Sequence, residues 1–92
     1  MVAEKEEIRQ LPPVNFSMFI LSLNTSALVH LGQIPDPHTQ EKKKDLALAR
    51  QTIDILDMLR EKTKGNLTKE EEKLLDNILY ELRLLYLKVS GG

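Results

Sequence analysis

The chain has 92 residues, a formal net charge of -1 and 41% hydrophobic residues, and it contains no Cys and no Trp. The length allows one domain, and the apolar fraction is too high for a disordered chain. The absence of Cys excludes disulfides, thiolate metal sites and Cys nucleophiles. The balanced charge argues against a strongly electrostatic nucleic-acid binder.

The two ends of the chain are predicted to be flexible tails. Charged side chains dominate residues 1–10, and Pro12 and Pro13 stiffen the approach to the first ordered element. No apolar run follows a basic start, so this segment is not predicted to be a signal peptide. We therefore predict a flexible tail over residues 1–13, a single helical domain over residues 14–89 and a second flexible tail over residues 90–92.

The first predicted helix covers residues 15–33, which carry no formal charge. Asn15 or Ser17 can cap its start, and Gly32 is placed to end it. Ser22 and Ser26 form a pair of small residues that permits close backbone approach. Apolar residues at helical spacing mark two sides of this helix: Phe16, Ile20, Leu23 and Ala27 on one, and Met18, Leu21 and Leu28 on the other. Because a helix with two apolar sides usually has neighbours on both, this pattern favours a subunit contact. Its many polar residues argue against a membrane span.

The second predicted helix runs from Thr39, as its N-cap, to about Lys64, and Gly65 ends it. Leu46, Ala49, Ile53 and Leu56 mark one apolar face, which Leu48, Ile55 and Leu59 widen. The run Lys42-Lys43-Lys44 lies in its first turns and is interpreted as a solvated face. The alternative is an RNA- or ribosome-associated factor that uses Lys42, Lys43, Lys44, Lys62 and Lys64.

The third predicted helix begins at a capping box formed by Thr68 and Glu71. Its apolar seam has the spacing of helical bundles: Leu75, Ile78, Leu82, Leu85 and Val89. A second stripe, Tyr80, Leu84 and Leu87, recurs away from this seam. Either the N-terminal tail or helix 1 covers the stripe, or it is an interface. Together with helix 1, the second interpretation predicts a homodimer.

The sequence has no pattern that indicates catalysis, a cofactor or a metal site. His30, near the end of an apolar helix, is expected to be a histidine at the edge of the core. Asp36 and His38 lie close together in the chain, but two possible ligands do not make a metal site. No phosphate-binding loop or nucleophile motif is present. We therefore predict a non-enzymatic interaction or scaffold module.

The string Lys62-Thr63-Lys64-Gly65-Asn66-Leu67-Thr68 and the residues before it, Ile53-Asp54-Ile55-Leu56-Asp57-Met58-Leu59, resemble a bacterial family known as domain of unknown function 1844. Leu31-Gly32, Pro35, Pro37 and the closing Leu82-Arg83 resemble it as well, so that the resemblance covers about residues 14–89. The resemblance implies a small cytoplasmic bacterial helical protein and assigns no catalytic or ligand residue. The family often has Gly after the Thr of the proline-containing loop, where this chain has Gln40.

The same string predicts a tightly specified turn between helices 2 and 3. Gly65 ends one helix, Asn66 tolerates turn geometry and Thr68 starts the next. The alternative is a polar patch that recognises a partner through Lys62, Thr63, Lys64 and Asn66. Because the connection is short, helices 2 and 3 are predicted to form an antiparallel hairpin, with helix 1 packing across them. The prediction is thus an all-α, three-helix protein that forms a homodimer.

Overall fold

The computed structural model describes Leu11 and residues 13–91, and within them it contains three helices and no strand. Helix α1 spans Phe16–His30, α2 spans Leu46–Lys62 and α3 spans Lys69–Ser90. The predicted all-α, three-helix fold is confirmed. The tail predictions for residues 1–10, 12 and 92 lie outside the described residues, and α3 continues through Ser90, one residue beyond the predicted end of the domain.

Helix α1 has well-defined caps at both ends. Asn15, one of the two predicted caps, accepts a hydrogen bond from the backbone N–H of Met18 at 2.8 Å. At the other end Gly32 has a φ of 75°, in the left-handed region. Its N–H donates to the Val29 carbonyl at 3.0 Å, and the Gln33 N–H donates to the Leu28 carbonyl at 3.0 Å. These two bonds form a Schellman motif, so the helix ends where the glycine predicts.

The loop after α1 extends to Asp45, so α2 begins later in the chain than predicted. The Gln40 N–H donates to the Asp36 carbonyl at 2.6 Å, and the Asp36 N–H donates to the Glu41 carbonyl at 2.9 Å. Gln40 has a φ of 62°, which a right-handed helix cannot accommodate. The helix instead begins after Asp45, whose carboxylate accepts a hydrogen bond from the Leu48 N–H at 3.0 Å. The predicted start at Thr39 is therefore wrong.

The three consecutive lysines lie before α2 and not in its first turns. Lys42, Lys43 and Lys44 are exposed residues of the irregular segment that leads to Asp45. They lie close to the positive end of the helix dipole, where the Asp45 carboxylate supplies the favourable negative charge. Thr39 accepts a hydrogen bond from the Glu41 N–H at 3.3 Å, so it takes part in the turn rather than in a helix cap.

The left-handed conformation of Gln40 leads to a stability prediction. Replacing Gln40 with Gly is expected to raise the free energy of unfolding by about 0.5–1 kcal/mol, because glycine adopts this conformation without steric strain. The same change at Gln51, an exposed residue within α2, is expected to lower it by about 1 kcal/mol. Urea unfolding of both variants measures the difference. A Gln40→Gly variant less stable than the parent would contradict the assigned geometry.

Helices α2 and α3 form the predicted antiparallel hairpin. Gly65, with a φ of 85°, lies in the connection, and Thr68 caps α3. The capping box is complete: Thr68 Oγ1 accepts from the Glu71 N–H at 3.1 Å, and the Glu71 carboxylate accepts from the Thr68 N–H at 2.9 Å. The end of α2 and the start of α3 therefore lie within two residues of their predicted positions.

Two ion pairs join α2 to α3. Arg60 Nε lies 2.7 Å from Asp76 Oδ1, and Arg83 Nη2 lies 2.7 Å from Asp57 Oδ1. Arg60, near the end of α2, pairs with Asp76 in the first half of α3, whereas Asp57, earlier in α2, pairs with Arg83, later in α3. This order is the one that antiparallel helices require. Both pairs are partly exposed, so their contribution to stability is small, and their main effect is on the register of the hairpin.

The core lies between the three helices, and α1 packs against both members of the hairpin. The Asp45 N–H donates to the His30 carbonyl at 2.8 Å, which holds the start of α2 beside the end of α1. Thr52 is also buried, and its hydroxyl donates to the Leu48 carbonyl at 2.9 Å, so its burial leaves no unpaired donor. The buried apolar residues are Ile20, Ala27, Leu31, Ala49, Ile53, Leu56, Leu75, Ile78, Leu79 and Leu82.

Candidate interaction surfaces

The second apolar stripe of α3, formed by Tyr80, Leu84 and Leu87, is open to solvent. These side chains are 65%, 50% and 65% exposed. At about 100° per residue, the stripe lies on the side of α3 opposite Leu75 and Leu82, which face the core. Helix α1 therefore does not cover it. The other predicted cover, the tail, lies outside the described residues. We call Tyr80, Leu84 and Leu87 the α3 stripe.

A shallow groove runs along one flank of the α3 stripe. It is lined by Glu81, Leu84, Leu85 and Lys88. Glu81 and Lys88 are seven residues apart, so they lie on the same flank, two turns from each other. The groove therefore has an apolar floor, a negative end and a positive end. On the opposite flank Arg83 is already paired with Asp57.

The outward side of α1 is a second uncovered surface, and it carries no charge. Met18 and Leu21 are exposed apolar residues on it, and Ser22, Thr25 and Ser26 lie between them and the end of the helix. The Ser22 hydroxyl donates to the Phe19 carbonyl at 2.7 Å, and the Thr25 hydroxyl donates to the Leu21 carbonyl at 3.2 Å. These two hydroxyl protons are therefore bound within the helix and are not free to donate to a partner. We call Met18, Leu21, Ser22, Thr25 and Ser26 the α1 face.

Leu28 was predicted to belong to the same surface, but it is half-buried and packs against the core. Its position at the last turns of α1 brings it to the edge of the bundle interior. The α1 interface stays a prediction: Met18, Leu21, Ser22 and Ser26 are exposed, Leu28 is half-buried, and Thr25 is a further exposed residue on this side.

Helix α2 contributes exposed apolar residues from the widened part of its apolar face. Leu48 is 42% exposed and Ile55 is also exposed, so this part of the face is open to solvent; Leu59 is half-buried. Met58 is 50% exposed. Leu48 lines a cleft together with the half-buried Val29 of α1.

The α3 stripe and the α1 face point in different directions. Each lies on the side of its own helix that faces away from the core, and the two helices occupy different corners of the bundle. A two-fold contact centred on one of these surfaces leaves the other uncovered, because both subunits use the same patch. The prediction that both surfaces lie near one interface therefore becomes a choice between them.

The predicted partner patch at the α2–α3 turn is mostly a structural turn. The Thr63 hydroxyl donates to the Leu59 carbonyl at 2.7 Å, and the Asn66 N–H donates to the Thr63 carbonyl at 2.8 Å. The side chains of Lys62, Lys64 and Asn66 remain exposed. Recognition of a partner by Lys62, Thr63, Lys64 and Asn66 stays a prediction, with Thr63 the least available of the four.

The lysines proposed to contact RNA form two separate groups. Lys42, Lys43 and Lys44 precede α2, whereas Lys62 and Lys64 lie at its other end. A helix of 17 residues spans about 25 Å, so the two groups do not make one patch.

The polar side chains around His30 mainly stabilise the loop between α1 and α2. His30 is half-buried in the last turn of α1 and lines a cleft with Asp36, Thr39 and Asp45. Asp36 accepts a hydrogen bond from the His38 N–H at 2.7 Å, and Asp45 caps α2, so both carboxylates stabilise the loop. Within the described part of the chain, no group of three or more potential His or carboxylate metal ligands is found.

In the same part of the chain, none of the helices combines the length and apolarity needed to cross a bilayer.

Comparison with known proteins identifies a family. Neither the curated proteins nor the solved structures contain a match to this chain. The model of the family described as Domain of unknown function (DUF1844) matches residues 13–88. This stretch includes α1, α2 and nearly all of α3, and with them the α1 face and the α3 stripe. The chain therefore belongs to the DUF1844 family.

Proposed function

We propose that the protein is a non-enzymatic, self-associating helical interaction module. The observation that supports this most directly is the exposure of the α3 stripe and the α1 face on a bundle whose core is already closed by all three helices. Aligned apolar patches of this kind mark sites where proteins meet. A chain of this size without disulfides also gains substantially from burying further apolar surface against a second copy.

The charged residues of the hairpin support a structural role for the α2–α3 cleft. This cleft is lined by Arg50, Asp54 and Arg83 over an apolar floor that includes Ile53 and Tyr86. Arg50 Nε lies 3.6 Å from Asp54 Oδ1, and Arg83 is bound to Asp57. Each arginine thus has a carboxylate partner within the protein: Asp54 lies in the same helix as Arg50, and the Arg83–Asp57 pair joins α3 to α2.

A second candidate function, RNA or ribosome association, has less support. It relied on five lysines acting together, and these residues lie at opposite ends of α2. Neither group is interleaved with aromatic side chains on which bases could stack. Binding to RNA whose affinity falls steeply with salt, and which is lost in lysine-to-alanine variants of both groups, would favour it.

Self-association is tested by the mass of the full chain in solution. We expect multi-angle light scattering to give about twice the 10.5 kDa of one chain at protein concentrations of about 10–100 μM. A monomer mass throughout this range, from a sample with the helix content of the folded protein, would refute self-association. Purification of the tagged protein from its native cells then tests whether the dimer binds other proteins.

A further inference from the structure

We propose that the α3 stripe is the contact between two copies of this chain, and that the two α3 helices pack antiparallel about a two-fold axis. This inference rests on the proposed self-association and names the surface and the geometry by which it occurs. The distribution of charge along the groove beside the stripe supports it.

The groove carries opposite charges at its two ends. Glu81 lies at one end and Lys88 at the other, with Leu84 and Leu85 between them. A second copy rotated by 180° brings the partner's Lys88 to Glu81, and the partner's Glu81 to Lys88. The groove is therefore electrostatically complementary to its own reversed copy, which is the requirement for a two-fold contact.

The apolar residues follow the same symmetry. The midpoint between Glu81 and Lys88 falls between Leu84 and Leu85, so in the antiparallel arrangement the exposed Leu84 lies close to the two-fold axis. Tyr80 and Leu87 flank it at spacings of four and three residues, the spacing of side chains that pack between paired helices. Contact along this line covers all three members of the α3 stripe at once.

The charges also select the direction of packing. In a parallel pair the flank that carries Glu81 and Lys88 would face the partner's opposite flank, so the two Glu81–Lys88 contacts form only in the antiparallel arrangement. On the opposite flank the Arg83 guanidinium is bound to Asp57 at 2.7 Å within the same chain. The approach of two copies on that side therefore does not bring unpaired arginines together.

The α1 face has no charge complementarity to a reversed copy of itself. Helix α1 has no acidic residue in its first turn, and its last turn carries only His30. An uncharged surface neither favours nor disfavours its own reversed copy, whereas the groove on α3 does. This difference assigns the second copy to the α3 stripe and leaves the α1 face for another contact.

Two glutamate substitutions of equally exposed residues test the assignment. Leu84 and Met58 are each 50% exposed, on α3 and α2 respectively. Leu84→Glu is expected to raise the dimer dissociation constant at least about 100-fold, because two unpaired carboxylates are placed near the axis. Met58→Glu is expected to leave it unchanged. Sedimentation equilibrium gives the constants, and circular dichroism verifies folding.

The outcomes separate this inference from the proposed function. A folded Leu84→Glu variant that remains dimeric would overturn the α3 contact while self-association stands. A folded Met58→Glu variant that becomes monomeric would overturn it as well, since the other side of the bundle is then involved. A parent protein that is monomeric at all concentrations would refute the self-association on which the inference rests.

Charge reversal tests the direction of packing. Glu81→Lys alone and Lys88→Glu alone each create two repulsive pairs in the antiparallel dimer and are expected to weaken it about tenfold. The double variant Glu81→Lys/Lys88→Glu exchanges the signs and is expected to restore the parent dissociation constant. Single variants without effect, or a double variant weaker than either single one, would exclude the antiparallel pairing.

Discussion

Truncation of Leu56 to Ala is expected to lower the free energy of unfolding by about 3 kcal/mol. Leu56 is 0% exposed and belongs to the cluster shared by the three helices, so the lost side-chain atoms leave a cavity that the rigid hairpin cannot fully close. For a domain of this size, such a change is a large part of the total stability. Denaturant unfolding with the slope held common to parent and variant measures it.

Leu48→Ala is the matched control for this prediction. It makes the same chemical change in the same helix, but Leu48 is 42% exposed. The expected loss is below about 1 kcal/mol, because part of the side chain is in water before and after unfolding. Because dimer formation adds a concentration-dependent term, both variants are compared at one protein concentration. Equal losses at the two positions would show that the assigned core is wrong.

Replacement of Gly32 by Ala is expected to lower the free energy of unfolding by about 1–2 kcal/mol. Gly32 is the left-handed residue of the Schellman motif, with a φ of 75°, and a side chain there strains the backbone. A Cβ at this position would also lie 2.7 Å from Lys44 Cγ, so the lysine side chain must move. Thermal unfolding, analysed at the parent transition temperature, gives the difference.

The two contributions to the Gly32 effect can be separated. Gly65 has a similar φ of 85°, and a Cβ there would meet nothing within 4 Å, so Gly65→Ala measures backbone strain alone. In a Lys44→Ala background the close Cγ atom is absent, and Gly32→Ala is expected to match Gly65→Ala. A Gly32→Ala effect that is smaller than that of Gly65→Ala would contradict the packing of Lys44 over the glycine.

Helix ends were predictable from the sequence where the signal was local. Thr68 and Glu71 form their capping box from residues three apart, and Gly32 and Gly65 adopt the positive φ that their positions implied. The start of α2 was not predictable in this way, because Thr39 and Asp45 are both acceptable N-cap residues. The choice depends on the turn from Asp36 to Glu41 and on the hydrogen bond between Asp45 and His30, and neither has a sequence signature.

For the candidate surfaces too, the sequence predicted what depends on one helix and not what depends on contacts between helices. Periodicity identified the α3 stripe correctly, because a stripe opposite the core seam is a property of one helix. It could not show that Leu48 and Ile55 are exposed, since a broad apolar face on α2 does not reveal how much of it α1 covers. The sequence did not predict that Thr52 is buried, because threonine is polar. Its burial is possible because its hydroxyl donates to a carbonyl of its own helix. The homodimer stays a prediction, since it depends on a second chain.

The inward hydrogen bonds of Ser22 and Thr25 have a consequence for how the α1 face responds to solution conditions. With those hydroxyl protons bound to backbone carbonyls, the attraction of this surface to any apolar surface depends on excluded water. Such a contact should persist in concentrated salt and strengthen with sulfate, whereas the Glu81–Lys88 contact should weaken as ions screen it. Ionic strength thus weakens the charged part of the α3 contact, whereas the α1 face has no charge for ions to screen.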